Sequence, residues 1–241
     1  MNCPARSVSR AFFLVTACWN LSPHFVSAQY YESQEYSRSD ARFVTVGAVW
    51  RQFRPRPSNS LPDSLASRFD RVMPMIGFRQ GPVQVYFGYT TFMEQEQSRE
   101  AIVLGTEVST DFPLFGAGFP IVLPLMIAAD YSKVEAAGLQ RDNFNIGSIG
   151  IGVGLKFRSV GPSVEFWIQG FHLFQLSFEG IAAGTGSSQA TIGEATLLLP
   201  RVPIADGIVL TYRIRLQTWS MKNDRFDYRS FYHGPSVGIM F

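Results

Sequence analysis

Ten ionisable side chains fall on one face of segments in which apolar and polar residues alternate along this 241-residue chain. Six of the ten are basic and four are acidic. An isolated buried charge is costly, so these side chains must pair with one another if that face is enclosed. The pattern predicts an interior network of ion pairs and hydrogen bonds, and its basic surplus also suits an anion-selecting constriction or a site for lipid head groups. The ten positions are Arg51, Arg71, Arg79, Glu107, Asp130, Lys156, Glu165, Glu194, Arg213 and Arg215.

Two histidines, His172 and His233, lie beyond the first 28 residues, and histidine is the most frequent general base of enzymes. His172 shares the apolar face of its segment, whereas a catalytic base needs polar partners. His233 lies near Ser230 and Ser236 at the start of the last segment, so an enzyme site there stays open as an alternative. No His/Cys pair and no Asp-rich loop has the spacing of a metal site. The sequence therefore predicts no metal, no cofactor and no catalytic residue.

The elements that must position these residues are ten long alternating segments. Within 145–158, every second residue from Ile149 to Phe157 is apolar, and the residues between them are glycine or lysine. A period of two over this length indicates a β-strand. Most of the segments have 11 to 14 residues, whereas globular strands have about 5–6 and tilted membrane-crossing strands about 9–11. The segments are 42–54, 69–80, 83–94, 100–110, 119–132, 145–158, 163–178, 189–200, 207–220 and 230–241.

The connections between the segments alternate in length. On average, odd-numbered segments are followed by the longer connections, such as the polar stretch 55–68, and even-numbered segments by the shorter ones, such as Gly81-Pro82. Short turns on one rim and longer loops on the other are typical of outer-membrane barrels. Segment 119–132 is the weakest, because Pro120 and Pro124 each lack an N–H group, and we expect a bulge there.

Residues 1–28 have the features of a secretory signal peptide. Two arginines and no acid precede a short apolar run at 11–19, and small residues lead up to Ala28. Cleavage after Ala28 would remove both cysteines of the chain. The alternative is cleavage at a lipobox-like stretch, 15–18, which would leave Cys18 as a lipidated N-terminus.

Composition excludes several classes of protein. Aromatic residues make up 14% of the chain and charged residues 17%, which is far from the composition of a disordered chain. The mean hydropathy of +0.05 is too low for a bundle of membrane helices, each of which needs about 20 consecutive apolar residues. Without residues 1–28 the net charge falls from +2 to 0, so we expect no nucleic-acid partner.

The chain ends on Phe241, with Ile239 and Val237 at alternate positions before it. Together with the signal peptide and the long alternating strands, this ending resembles bacterial outer-membrane β-barrel proteins, whose assembly machinery recognises such a terminal strand. The resemblance implies an all-β fold, a closed antiparallel transmembrane barrel of about 10 strands, with 8 or 12 also open. Residues 42–241 would form it after a polar segment at 29–41. Its implied partners are outer-membrane lipids and the barrel-assembly machinery, and its oligomeric state stays unassigned.

Three functions are open at this point. The first is an outer-membrane barrel with a structural, surface-interaction or limited small-solute passage role, in which the ten charged side chains line the lumen. The others are an enzyme that modifies outer-membrane lipids and a secreted, soluble lipid-binding barrel. Alternation alone does not tell which face lies inside. Aromatic residues near segment ends, among them Trp50, Phe53, Trp219 and Tyr228, predict girdles at the membrane interfaces.

Overall fold

Ten β-strands make up nearly all of the described chain. The signal peptide, the lipobox and the polar segment up to residue 40 lie outside the described residues. The computed structural model describes residues 41–61, 66–94, 97–114, 120–136, 144–161, 164–179, 184–202, 205–222 and 224–241. The strands are β1 (Arg42–Pro55), β2 (Phe69–Gln80), β3 (Val83–Glu94), β4 (Gln97–Pro113), β5 (Ile121–Ala136), β6 (Phe144–Val160), β7 (Glu165–Glu179), β8 (Gly184–Val202), β9 (Ala205–Met221) and β10 (Tyr228–Met240), with a 3-10 turn at Asp224–Phe226.

The sheet closes on itself. Each strand pairs antiparallel with its sequence neighbours, and β1 pairs with β10 from Phe43↔Met240 to Pro55↔Tyr228. The predicted closed antiparallel barrel is confirmed, with ten strands rather than eight or twelve. Closure gives every strand a hydrogen-bonded neighbour on each side. Among the described residues, no helix is long and apolar enough to cross a membrane.

Two details differ from the sequence prediction. β5 carries no bulge, because its pairing with β6 lapses only around Pro124 and resumes in the same register at Leu125. Most strands are also longer than predicted, up to 19 residues in β8, so most connections shrink, and only residues 95–96 separate β3 from β4. We call the end of the barrel with connections 56–68 and 222–227 the loop rim. The opposite end, where β1 begins and β10 finishes, is the termini rim.

The outside of the barrel is apolar and the inside polar. In β6, Ile151 and Leu155 are 68% and 61% exposed, whereas Ser148 and Lys156 are buried. Every strand except β8 presents large apolar side chains outward in this way. The structure thereby decides which face of the alternating segments is internal, and it is the charged one.

The aromatic side chains divide between the two faces. Trp50 is 45% exposed on the outer wall, but Phe53, Trp219 and Tyr228 are at most 1% exposed and pack inside the barrel at the loop rim. The predicted assignment of the last three to an interfacial girdle is therefore wrong. Proximity to a strand end does not reveal whether a side chain points outward or into the mouth of the barrel.

A glycine of β4 makes room for an inward-facing side chain of β3. Gly105 of β4 lies directly opposite Tyr86 of β3, and the Tyr86 ring occupies the space where a Cβ at residue 105 would stand. The ring is held in turn by Arg215, which donates to the Tyr86 hydroxyl, and by Arg213, whose guanidinium lies 5.0 Å from the ring centroid. Glycine is therefore required at residue 105 for this arrangement.

We expect Gly105→Ala to lower the free energy of unfolding by about 1–3 kcal/mol, because the added methyl group must displace a held ring. The measurement is urea-induced unfolding of the barrel refolded into lipid vesicles. Gly193→Ala is the matched control, since a Cβ there would meet no atom within 4 Å. Equal losses in the two variants would contradict the steric explanation.

Candidate functional site

Two arginines of β9 point into the barrel and pair with carboxylates of β4, β5 and β8. Arg213 pairs with Glu107 of β4 and lies 3.3 Å from Glu194 of β8. Arg215 lies 3.3 Å from Glu107 and 2.6 Å from Asp130 of β5. β4 is five strands away from β9 in the ring of ten, so the contacts with Glu107 span the full width of the lumen. Alternation makes this possible, because residues 213 and 215 point to the same face.

Neutral side chains complete the hydrogen bonding of the carboxylates. Asp130 accepts from Gln175 at 2.6 Å and from Gln217 at 2.8 Å, and Glu194 accepts from Gln169 at 2.8 Å. A buried charge is tolerated when it is both paired and hydrogen-bonded. Charge alone does not reveal these three glutamines, although they lie on the same alternating face as the charged residues.

Arg51 is held by hydroxyl groups and aromatic rings. Its Nε donates to Ser230 at 3.1 Å and its Nη2 donates to Ser132 at 2.7 Å. The guanidinium carbon lies 5.6 Å from the centroid of Phe53 and 5.3 Å from that of Phe69, within cation–π range. Arg51 therefore lies between the polar network below and the aromatic cluster at the loop rim.

The remaining candidate positions lie apart from the centre of the network. Arg79 is 3.5 Å from Glu194 and extends the network toward the termini rim. Lys156 pairs with Asp111 at 2.7 Å, and Glu165 pairs with Arg158 at 2.6 Å, both near that rim. Arg71 is exposed and donates to the carbonyl of its neighbour Asp70. The structure thus joins Glu107, Asp130, Glu194, Arg79, Arg213 and Arg215, and it leaves Lys156, Glu165, Arg51 and Arg71 in other surroundings.

Aromatic rings fill the barrel above the network. Phe53 stacks on Tyr228 with centroids 4.6 Å apart and on Phe69 at 5.5 Å, and Phe144 packs edge-on against Phe53 at 4.9 Å. Trp219 lies against Phe144 at 5.1 Å and is 1% exposed. These rings form an apolar layer across the mouth of the barrel at the loop rim.

A short hydrogen-bonded strap covers this layer. Asp227 accepts from the Ser58 hydroxyl and from the backbone N–H of Met221 at 2.8 Å. Its backbone carbonyl accepts from Arg56 N–H at 2.9 Å, and the Asn59 side-chain amide donates to the same carbonyl at 3.2 Å. The first connection is therefore tied to the last one across the loop rim.

Little internal space remains at the level of the network. Arg51 and Arg215 are each 1% exposed and Glu107 is 3% exposed, so water has almost no access to them. Beside them lies a cavity of about 50 Å³, lined among others by Tyr86, Arg213 and Tyr232. That space suits a few buried waters.

Both histidines beyond the signal region lie on the outer wall. His172 contacts Thr191 through Nδ1 at 3.1 Å and packs edge-on against Phe174. The Nδ1 atom of His233 is 2.8 Å from the Tyr212 hydroxyl, in the middle of β10 rather than in the rim position that the enzyme alternative requires. In the part of the chain that the structure describes, no group of three or more His, Cys, Asp or Glu residues is arranged to hold a metal ion.

The sequence matches no protein-family model and no curated protein. Its fold is similar to that of the outer membrane protease OmpT from Escherichia coli, at 8% identity over 85% of this chain and 98% of that one, with a TM-score of 0.40. It is also similar to Neisserial surface protein A, at 14% identity over 83% and 97% with a TM-score of 0.33. The translocator domain of the autotransporter NalP from Neisseria meningitidis aligns at 8% identity over 98% and 100%, with a TM-score of 0.35. These neighbours have different activities and assign none to this chain.

We expect Arg215→Met to lower the free energy of unfolding by about 3–5 kcal/mol, because it leaves Asp130 buried without its closest cation. Vesicle-refolded protein titrated with urea gives the measurement. The exposed Arg229 at the loop rim provides the control, since Arg229→Met should change stability by less than about 0.5 kcal/mol.

A double-mutant cycle separates the ion pair from general packing. Asp130→Asn combined with Arg215→Met should cost less than the sum of the two single variants, because the double variant leaves no unpaired charge at this contact. Strictly additive losses would contradict direct coupling between Arg215 and Asp130.

Proposed function

We propose that this chain is an integral outer-membrane β-barrel with a closed interior, and that its role is structural or surface-binding rather than conducting. The single observation that carries the proposal is the pairing of an apolar outer wall with a lumen bridged by Arg213 and Arg215. An apolar belt of this extent is stable only against lipid or another apolar surface. The predicted signal peptide supports export.

The outer wall weighs against the soluble lipid-binding alternative. Such a protein needs polar side chains outside and apolar side chains around the ligand. Here Ile149, Ile151 and Leu176 are at least half exposed, whereas Asp130, Glu194 and Gln175 are buried inside. In water, the outer wall would drive aggregation.

The lumen weighs against small-solute passage. A channel of this strand number would be narrow even when empty, because about 8 strands leave an interior that side chains just fill. In this barrel the aromatic layer, the ionic network and the strap lie one above another. Interaction at the loop rim or mechanical support of the membrane therefore fits better than transport.

The enzyme alternative has little support in the described residues. A lipid-modifying site needs a base beside polar partners that a substrate can reach. His233 lies on the outer wall with Tyr212 and the ring of Phe231 as neighbours. We propose that it belongs to the lipid-facing surface.

The C-terminal strand supports assembly by the outer-membrane machinery. Val237, Ile239 and Phe241 all point outward and are about half exposed. Their row lies beside β1, at the position where the barrel closes. We propose that these three side chains are recognised before closure, when β10 is still unpaired on one side.

Tryptophan fluorescence in bilayers of brominated phosphatidylcholine tests membrane embedding, because bromine quenches a ring that contacts the acyl chains. A variant that keeps only Trp50, which is 45% exposed, should be strongly quenched, and one that keeps only Trp219, which is 1% exposed, should be little quenched. A heat-dependent shift on gels should accompany folding. Equal, weak quenching of both variants, with no gel shift, would overturn the proposal.

Planar-bilayer recording tests closure. The reconstituted protein should give no discrete conductance steps, because residues at the level of Arg215 exclude water. Steady, reproducible channels from folded, heat-shifting protein would contradict the closed-interior part of the proposal and restore the passage role.

A further inference from the structure

The wall of the barrel has a gap on the loop-rim side between β2 and β3. The two strands have 12 residues each, yet their pairing covers only six positions, from Met75↔Gly88 to Gln80↔Val83. The flanking ladders continue to the rim, to Phe53↔Phe69 between β1 and β2 and to Glu94↔Gln97 between β3 and β4. We call residues 69–74 of β2 and 89–94 of β3 the seam.

Sequence explains where the ladder stops. Pro74 is the first residue of β2 beyond the last pair, and it has no N–H group to donate. On the inner side the Met73 side chain leans over Gly88, where a Cβ would lie 2.9 Å from the Met73 Cε atom. Farther up, the Thr90 hydroxyl donates to the Val72 carbonyl at 3.4 Å, which is a weak substitute for backbone pairing.

A cleft of about 570 Å³ lies at the seam. Its lining includes side chains from both faces of the wall: Phe69 and Phe92, which belong to the inner cluster, and Asp70 and Met93, which lie on the outer face. Both faces line the cleft because it lies where β1, β2 and β3 reach the loop rim, and on the inner side the Phe69 and Phe92 rings meet with centroids 4.8 Å apart. Its volume is within the range of about 300–1,000 Å³ that small-molecule sites have.

The seam reaches the apolar belt of the outer wall. Val72, Tyr89 and Met93 are 50%, 41% and 63% exposed and face outward along it. Unpaired backbone groups cost several kcal/mol each in hydrocarbon. In a bilayer this opening therefore needs either water or an occupant that enters from the lipid and carries a polar group of its own.

The polar end of the cleft is basic. Arg54, Arg68 and Arg71 line it together with one acid, Asp70. The ion pair of Arg54 with Asp70 is long, at 3.6 Å, and the Arg54 side chain is 60% exposed. Arg71 donates to a backbone carbonyl. Both arginines therefore keep N–H groups in reach of a further anion, and guanidinium groups bind carboxylates in a bidentate manner. The apolar end consists of Phe53, Phe69 and Phe92.

We propose that the seam is a lateral binding site for a free long-chain fatty acid that enters from the bilayer. The alkyl chain lies against the edges of Phe69 and Phe92, and Arg54 and Arg71 hold the carboxylate at the loop rim. The cleft has one basic end and one aromatic floor, which matches a single-chain anion. The proposal rests on the proposed function, because the ligand arrives through the lipid-facing wall.

The test uses a fluorescent label on a cysteine at one of two lipid-facing positions, in full-length protein whose natural Cys3 and Cys18 are replaced by serine. Val72→Cys puts the label at the seam, and Ile151→Cys puts the matched control label on the outer face of β6, 68% exposed in the native protein. The protein is reconstituted in phosphatidylcholine vesicles. A brominated palmitic acid and its methyl ester are then titrated as quenchers.

The acid should half-quench the label at residue 72 at a concentration roughly tenfold below that for residue 151, and the ester should quench both alike. Combining Arg54→Ala with Arg71→Ala should remove the tenfold difference, whereas Lys222→Ala, an exposed cation elsewhere on the loop rim, should keep it. Each of these results supports the site.

Three results would overturn it. Equal quenching at residues 72 and 151 by the acid means that there is no site at the seam. Preferential quenching at residue 72 by acid and ester alike, unchanged by the arginine variants, means that the seam does not select a carboxylate. If brominated phosphatidylcholine quenches neither label, membrane embedding fails and the seam proposal fails with it, which separates the two failures.

Discussion

The contact of Arg213 and Arg215 with carboxylates across the lumen is the interaction on which the rest of the interior depends. The long guanidinium side chains of β9 fill the width of the barrel, and the space beneath them requires small or flat neighbours. Tyr86 lies flat because Gly105 gives it room, and Asp130 is satisfied because glutamines of β7 and β9 donate to it. Removing one charge would leave its partner in a place that water hardly reaches.

This arrangement reverses the usual relation between core and surface. In the proposed membrane setting, with lipid outside, burial of apolar area does not distinguish the inside from the outside of the wall, so the hydrophobic effect contributes little to the choice of facing. Hydrogen bonds and ion pairs fix the interior instead, and such pairs specify geometry more than they add stability. The aromatic layer at the loop rim, around Phe53 and Phe144, is the main apolar packing inside.

The architecture was predictable because alternation and strand length are properties of the local sequence. The face that carries Ile151 could not be assigned to lipid from sequence, since period two is the same for both orientations. The partners of Arg213 were not predictable either, because Glu107 lies on a strand five places away and strand number sets that distance. The prediction that Phe53 and Trp219 face outward was wrong. The sequence does not distinguish a residue on the outer surface near a strand end from one inside the mouth of the barrel. The sequence does show a proline, Pro74, within a predicted strand. It does not show that the pairing of β2 with β3 ends beside that proline.

The strap between the first and last connections bears on how the folded state persists in time. Ser58 and Asp227 are 169 positions apart in the chain, so their contact forms only after β1 and β10 have met, and contacts of such separation are slow to form. Once formed, the strap lies at the end of the β1–β10 junction, and the strands cannot peel apart from the loop rim without breaking it first. The strap therefore slows unfolding more than it adds to equilibrium stability.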